Sequence, residues 1–184
     1  MFLSFLFINS AFAEGGDSAD MSNAKYLVKV KLKEAANQAG KLYIYKVVNG
    51  QAEANPFKIC NAIGNPVTDL FGDDKKVRTP TDPASVKATT KNLLYKGNYI
   101  SMKNAVYFED SHGNPIALHS GELTSNSHGC VRNDCHKELR DLANEDSTPA
   151  DDGQIPGYLN FPIDNDQSIR AVKKGHMIVD VDFE

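Results

Sequence analysis

The sequence predicts a mainly β fold, a sandwich or small barrel carrying one helix. Three observations carry that expectation. Apolar residues recur with a period of two at both ends of the chain, clusters of Gly, Pro, Asn and Asp separate short apolar runs, and a single central segment spaces its apolar residues as a helix does. The 184 residues, 41% hydrophobic and 24% charged, suffice for one core built without help from disulfide or metal.

Before the domain, residues 1–13 (MFLSFLFINSAFA) combine an apolar run over 2–8 with a small-x-small ending at Ala11 and Ala13. This is the pattern of a short, cleaved export signal. Residues 14–24 are polar and Gly-containing and are expected to form a flexible leader. The domain then spans 25–184. Tyr26, Val28, Val30 and Leu32 alternate with Leu27, Lys29, Lys31 and Lys33, which predicts a strand. A second run, LYIYKVV, sets Leu42, Ile44 and Val47 on one side. Asn49-Gly50 follows it, and both residues tolerate positive φ, so a hairpin is expected, with 57–59 returning as the next strand. Gly64-Asn65-Pro66 and Thr79-Pro80-Thr81-Asp82-Pro83 punctuate the chain as turns. Residues 98–102, 105–109 and 116–118 read as strands. The helix is expected from 133 or 134 to 143, where Cys135, Leu139 and Leu142 fall at i, i+4 and i+7. Residues 144–166 form a long acidic stretch rich in Pro and Gly, a loop insertion, and 168–174 suggest a short helical turn before a closing strand at 176–183.

Composition narrows the function. Twenty basic residues against 24 acidic ones give a net charge of −4, and no Lys/Arg block is present to track a phosphate backbone. Nucleic acid is not an expected partner. No segment approaches the roughly 18 apolar residues of a membrane span, so an exported, soluble protein without a transmembrane anchor is expected. Three cysteines are an odd number, and at least one thiol must stay free.

The chemistry concentrates in HSGELTSNSHGCVRND, residues 119–134. Thiolate is the reactive form of cysteine, and a neighbouring imidazole or helix N-terminus lowers its pKa toward the working range. Cys130 follows His128 and Gly129 and precedes the expected helix, whose free N–H groups carry partial positive charge. Gly129 allows close backbone approach to a substrate carbonyl, with amide donors for an oxyanion. His119, eleven residues upstream at the end of an expected strand, is placed to serve as general base. A zinc site is not expected, because the spacing lacks the two Cys/His pairs of a structural site. Neither metal nor organic cofactor is implied.

Ser127-His128-Gly129-Cys130-Val131-Arg132, with Ala117-Leu118-His119-Ser120-Gly121 upstream, resembles the signature of the L,D-transpeptidase catalytic domain of the YkuD type. LYIYKVVNGQ resembles the family's early β-hairpin, and Thr79-Pro80-Thr81 its Thr-Pro-Thr-Gly loop. The resemblance implies an L,D-transpeptidase-like β-sandwich or barrel with one helix after the catalytic cysteine. It implies two-step acyl transfer on peptidoglycan in the periplasm. Cys130 would attack the carbonyl of the third residue of a stem tetrapeptide, release the terminal D-alanine and leave a thioester for an amine to resolve. In that mapping His119 is the base, oriented by the backbone near Ser120. Gly129 and Cys130 N–H groups, with His128, stabilise the oxyanion, while Ser127 and Arg132 hold loop and substrate. Peptidoglycan stem peptides are the implied donors and acceptors, and the enzyme is expected to act as a monomer.

The chain departs from the pattern at Asp82, where the family has Gly, and at Asn133, where an apolar residue usually follows Arg132. Asn133 is expected to cap the helix instead. Acceptor choice stays open at this stage. Hydrolysis of the same acyl-enzyme would make a carboxypeptidase or an amidase that releases peptidoglycan-bound protein, and a decayed site would leave a wall-binding protein. Cys135 is expected to pack under the helix as a small apolar residue, and Cys60 with Cys135 is a conceivable pair in an oxidising compartment.

Overall fold

The computed structural model describes residues 20–68, 78–95, 98–113, 115–127, 129–149 and 169–184. The expected signal 1–13, leader residues 14–19, His128 and residues 150–166 of the expected insertion lie outside the described residues.

The fold is mainly β. Its strands are β1 (Tyr26–Leu32), β2 (Gly40–Val48), β3 (Gln51–Ala52), β4 (Lys58–Ile63), β5 (Ala84–Ser85), β6 (Ala88–Tyr95), β7 (Asn98–Glu109), β8 (Pro115–His119), β9 (Val131–Asn133), β10 (Ser147–Pro149), β11 (Arg170–Val172) and β12 (Met177–Phe183). One α-helix, α1 (His136–Asn144), lies among the described residues. The strands form a single curled sheet in the order β10-β11-β6-β7-β8-β9-β4-β2-β1-β12-β5, with β3 paired to β2. The closing strand β12 runs parallel to β1, Val28 beside Val179 and Val30 beside Val181. These valines, with Leu42, Ile44, Val106, Phe108, Leu118, Val131 and Met177, fill the inner face of the curl. α1 packs there through Leu139 and Ala143, with Leu142 beside them, so the helical spacing read from the sequence is the spacing that meets the core. Burying side chains of this size contributes about 1.5–3 kcal/mol each.

Several elements differ from expectation for physical reasons. Val47 lies in a small cluster with Ala24, Leu27 and Ile178 instead of beside Leu42 and Ile44. Three residues beyond Ile44 is an odd step along a strand, which turns a side chain to the other face. Asn49 and Gly50 do make the tight turn, with φ of 52° and 75° and Val48 opposite Gln51. The returning strand expected at 57–59 is β4, which pairs with β2 over Gly40 to Ile44 and extends to Ile63; the short β3 comes between them. The two strands expected at 98–102 and 105–109 are one, β7, continued through Asn104 at φ 50°. The turn expected at 168–174 contains β11 instead, whose residues pair with β10 and with Ala88 and Thr89 of β6. Within the expected insertion, Ser147–Pro149 is the edge strand β10. Residue Ala24 of the expected leader is buried.

The helix begins at His136, later than 133 or 134, because Val131–Asn133 is captured as β9 between β8 and β4. Its last turn is held by buried His176, whose Nε2–H donates to the Leu142 carbonyl at 3.0 Å and whose ring meets Tyr26 edge-on.

A disulfide joins Cys60 of β4 to Cys135 at the start of α1, with Cα atoms 6.0 Å apart and a separation of 75 positions in sequence. Both residues are buried in the core under the helix. Closing a loop of that length is worth about 4 kcal/mol in the chain-entropy account. The Cys60→Ala/Cys135→Ala double variant is therefore expected to lose about 4 kcal/mol in urea unfolding; a loss below about 1 kcal/mol contradicts the assigned role.

Candidate active site

Parallel pairing of β8 with β9 builds the site. Leu118 lies beside Val131 and His119 beside Arg132, so the residue before Val131 comes level with Ala117. Leu118 and Val131 point into the core. Side chains alternate along each strand, and Ala117, His119 and Cys130 therefore belong to the opposite face. There Cys130 packs against a cluster of Ala88, Ala105, Tyr107 and Ala117. Cys130 and His119 are diagonal neighbours on that face, one strand apart.

Cys130 is half-buried and is the free cysteine. Burial pushes its thiol pKa up, while a hydrogen bond with the Ala117 backbone and the charge of Arg132 act the other way. The expected assistance from the α1 N-terminus is absent, because β9 and a turn separate Cys130 from His136.

His119 ends β8 and is 5% exposed. Its Nδ1 lies 2.5 Å from the Ser120 carbonyl. A carbonyl oxygen only accepts, so Nδ1 carries the proton, and in the neutral ring Nε2 keeps a lone pair. Burial is the largest cause holding the ring's pKa down at about 4; Arg132 and His136 add to it, and the Ser120 bond opposes it. At neutral pH the resting site is thus a neutral thiol beside a neutral imidazole, with the Arg132 charge favouring thiolate over imidazolium.

The loop between them is held from several directions. Buried Ser127 donates its hydroxyl to the Cys130 carbonyl, its N–H donates to the Gly64 carbonyl at 3.3 Å, and its Oγ accepts the Gly129 N–H at 3.2 Å. Gly129 has φ 124°, a backbone that side-chain-bearing residues rarely adopt. Its N–H donates within the loop, to Ser127 Oγ. Arg132 donates Nη1–H to the Ser125 carbonyl and Oγ at 3.3 and 3.1 Å. Its side chain runs past Gly121, where a Cβ would stand 2.6 Å from Arg132 Cδ. Asn133 is not the helix N-cap, which is Cys135. Its buried side chain accepts the Cys135 N–H at 3.1 Å and reaches back to the His119 carbonyl at 3.5 Å, tying β9 to β8.

Sequence reasoning did not single out Tyr107. It stands opposite Ala117 on β7 and packs in the cluster that receives Cys130; the alternation of Ala105, Tyr107 and Glu109 against Val106 and Phe108 is the signal that assigns its face.

Among the described residues one cluster, Cys60, Asp134 and Cys135, brings candidate metal-ligand atoms within 4.8 Å of one another. Its two sulfurs are consumed in the disulfide, and the Asp134 carboxylate accepts the Asn61 N–H and Nδ2–H. No described helix is long and apolar enough to cross a membrane. Comparison with family models, with curated proteins and with solved structures found no match.

The low pKa of His119 has a stability consequence. Its folded value of about 4 lies below the ordinary 6.5, so between those values the unfolded chain binds more protons. The contribution is fully present above pH 6.5 and is lost as pH falls toward 4, roughly 3 kcal/mol in all. Urea unfolding across this window should therefore weaken in the wild type and weaken less in His119→Gln; parallel profiles contradict the assignment.

Proposed function

We propose that this chain is a cysteine-dependent L,D-transpeptidase acting on peptidoglycan stem tetrapeptides in the periplasm. The observation that carries the reading is the diagonal placement of the free Cys130 and of His119, with the Nδ1–H of His119 committed to the Ser120 carbonyl. The sequence motif Ser127-His128-Gly129-Cys130-Val131-Arg132 and a mainly β sheet with a helix after the cysteine add to it. Both support the family's fold as the finer assignment.

In the first step the thiol proton passes to His119 Nε2 and the sulfur attacks the carbonyl carbon of the third stem residue. The oxyanion forms beside the Cys130 N–H. Collapse of the tetrahedral species breaks the peptide bond, and the proton held on Nε2 goes to the departing D-alanine amine. The thioester remains on Cys130. In the second step an amine acceptor attacks the thioester, gives its proton to His119, and leaves with the acyl group as the thiol is restored. Arg132 favours the anionic sulfur and, with three N–H donors beyond those facing Ser125, suits a substrate carboxylate. A base shared by both steps accounts for a large effect of its loss, about 10²–10⁴-fold.

The mature protein incubated with a carbapenem should show one covalent adduct by intact mass, absent in Cys130→Ala and formed about 10²-fold or more slowly in His119→Ala. Purified tetrapeptide muropeptides should yield 3→3 dimers; tripeptides alone would mean that water resolves the thioester. No adduct and no muropeptide turnover would refute the enzymatic reading.

A further inference from the structure

We propose that Asn37, in the loop between β1 and β2, is a positioning residue for the Cys130 nucleophile. The proposal rests on the reading of Cys130 and His119 as a reacting pair and adds a residue that no motif contains. Asn37 lies 89 residues from Asn126 in sequence, yet the two are joined by reciprocal hydrogen bonds. The Asn37 N–H donates to Asn126 Oδ1 at 2.7 Å, and the Asn126 N–H donates to Asn37 Oδ1 at 3.0 Å. Asn37 holds φ 59°, a left-handed conformation that Asn tolerates better than most residues. That backbone turns its N–H and its side-chain oxygen toward the same partner.

Asn126 is the residue before Ser127, and Ser127 grips both the Cys130 carbonyl and the Gly129 N–H. On the other side of Asn126, Ser125 is held by Arg132. The stretch 125–127 is therefore fixed from β9 by Arg132, from the strand end by Gly64, and from the β1–β2 loop by Asn37. The first two contacts come from elements that also shape the core. Asn37 is exposed and Asn126 half-buried, and the direct structural consequence of their pairing is where Ser127 sits. Through Ser127 it sets the Cys130 carbonyl and hence the approach of Sγ to His119 Nε2. Displacements of about 1 Å at such a contact cost as much as 10²-fold in rate.

The test uses the full mature chain and the rate of Cys130 alkylation by iodoacetamide from pH 5 to pH 10, with the melting temperature recorded alongside. Asn37→Gly keeps the left-handed backbone and the N–H donor and removes only the Oδ1 acceptor, while Asn126→Ala removes the other half. Asn37→Asp restores an acceptor. At pH 7, where reaction needs the thiol proton to reach His119, Asn37→Gly and Asn126→Ala should react about tenfold more slowly than wild type. At high pH, where the thiol ionises without the imidazole, their rates should converge on the wild-type rate. Asn37→Asp should stay within about twofold of wild type throughout. Profiles that superimpose on wild type at every pH overturn the proposal, as does a gap of constant size, which reports access to the thiol and not its alignment. Loss of the pH 7 gap in a His119→Ala background is also required. The readout does not depend on peptidoglycan, so a wild type that forms no carbapenem adduct would refute the transpeptidase reading while leaving the positioning result to stand or fall by itself.

Discussion

The parallel pairing of β8 with β9 is the constraint on which the site depends. Three residues of β9 are inserted between β8 and β4, and the register that puts Leu118 beside Val131 settles two things together. It sends both apolar side chains into the core, and it leaves Cys130 and His119 on the outer face within one strand of each other. A slip of one residue would turn the thiol into the main core and Val131 out of it, against the alanine and tyrosine cluster. The register is held by core packing of Leu118 and Val131 and by the Asn133 side chain, which bridges the His119 carbonyl and the Cys135 N–H.

That same register separates the two sulfur chemistries. Cys135 lies only five residues beyond Cys130, but it faces the core and is bonded to Cys60, whereas Cys130 faces the alanine and tyrosine cluster outside. The intervening strand stands between the free thiol and the disulfide. Electrostatics complete the arrangement: burial alone would raise the thiol and depress the imidazole, and Arg132 partly offsets the first while adding to the second. At neutral pH both groups therefore rest uncharged.

Much of the fold was legible in the sequence, for reasons tied to particular elements. The alternation of Val28, Val30 and Leu32, the Asn49-Gly50 turn and the spacing of Cys135, Leu139 and Leu142 are local patterns that match local structure. What was not legible was short or non-local. β9 has three residues, too few to show a period, so the sequence alone sets the helix start too early and Cys130 directly before it. β11 suggests a helical turn in sequence, because its strand character comes from partners far away in sequence, Ala88 and Thr89. At the site, Cys130, His119, Ser127 and Arg132 could be named from residue chemistry and resemblance. Tyr107 and Asn37 could not, since each acquires its place through contacts across the sheet or between loops.

At neutral pH the His119 ring is neutral, with its Nδ1–H given to the Ser120 carbonyl and its Nε2 unprotonated. The ¹⁵N chemical shifts of the His119 ring, measured at pH 7 in protein labelled at histidine, test it most directly. A protonated Nδ1 and an unprotonated Nε2 are expected, unchanged until the pH approaches about 4. A proton on Nε2, or a ring already cationic at pH 7, would contradict it.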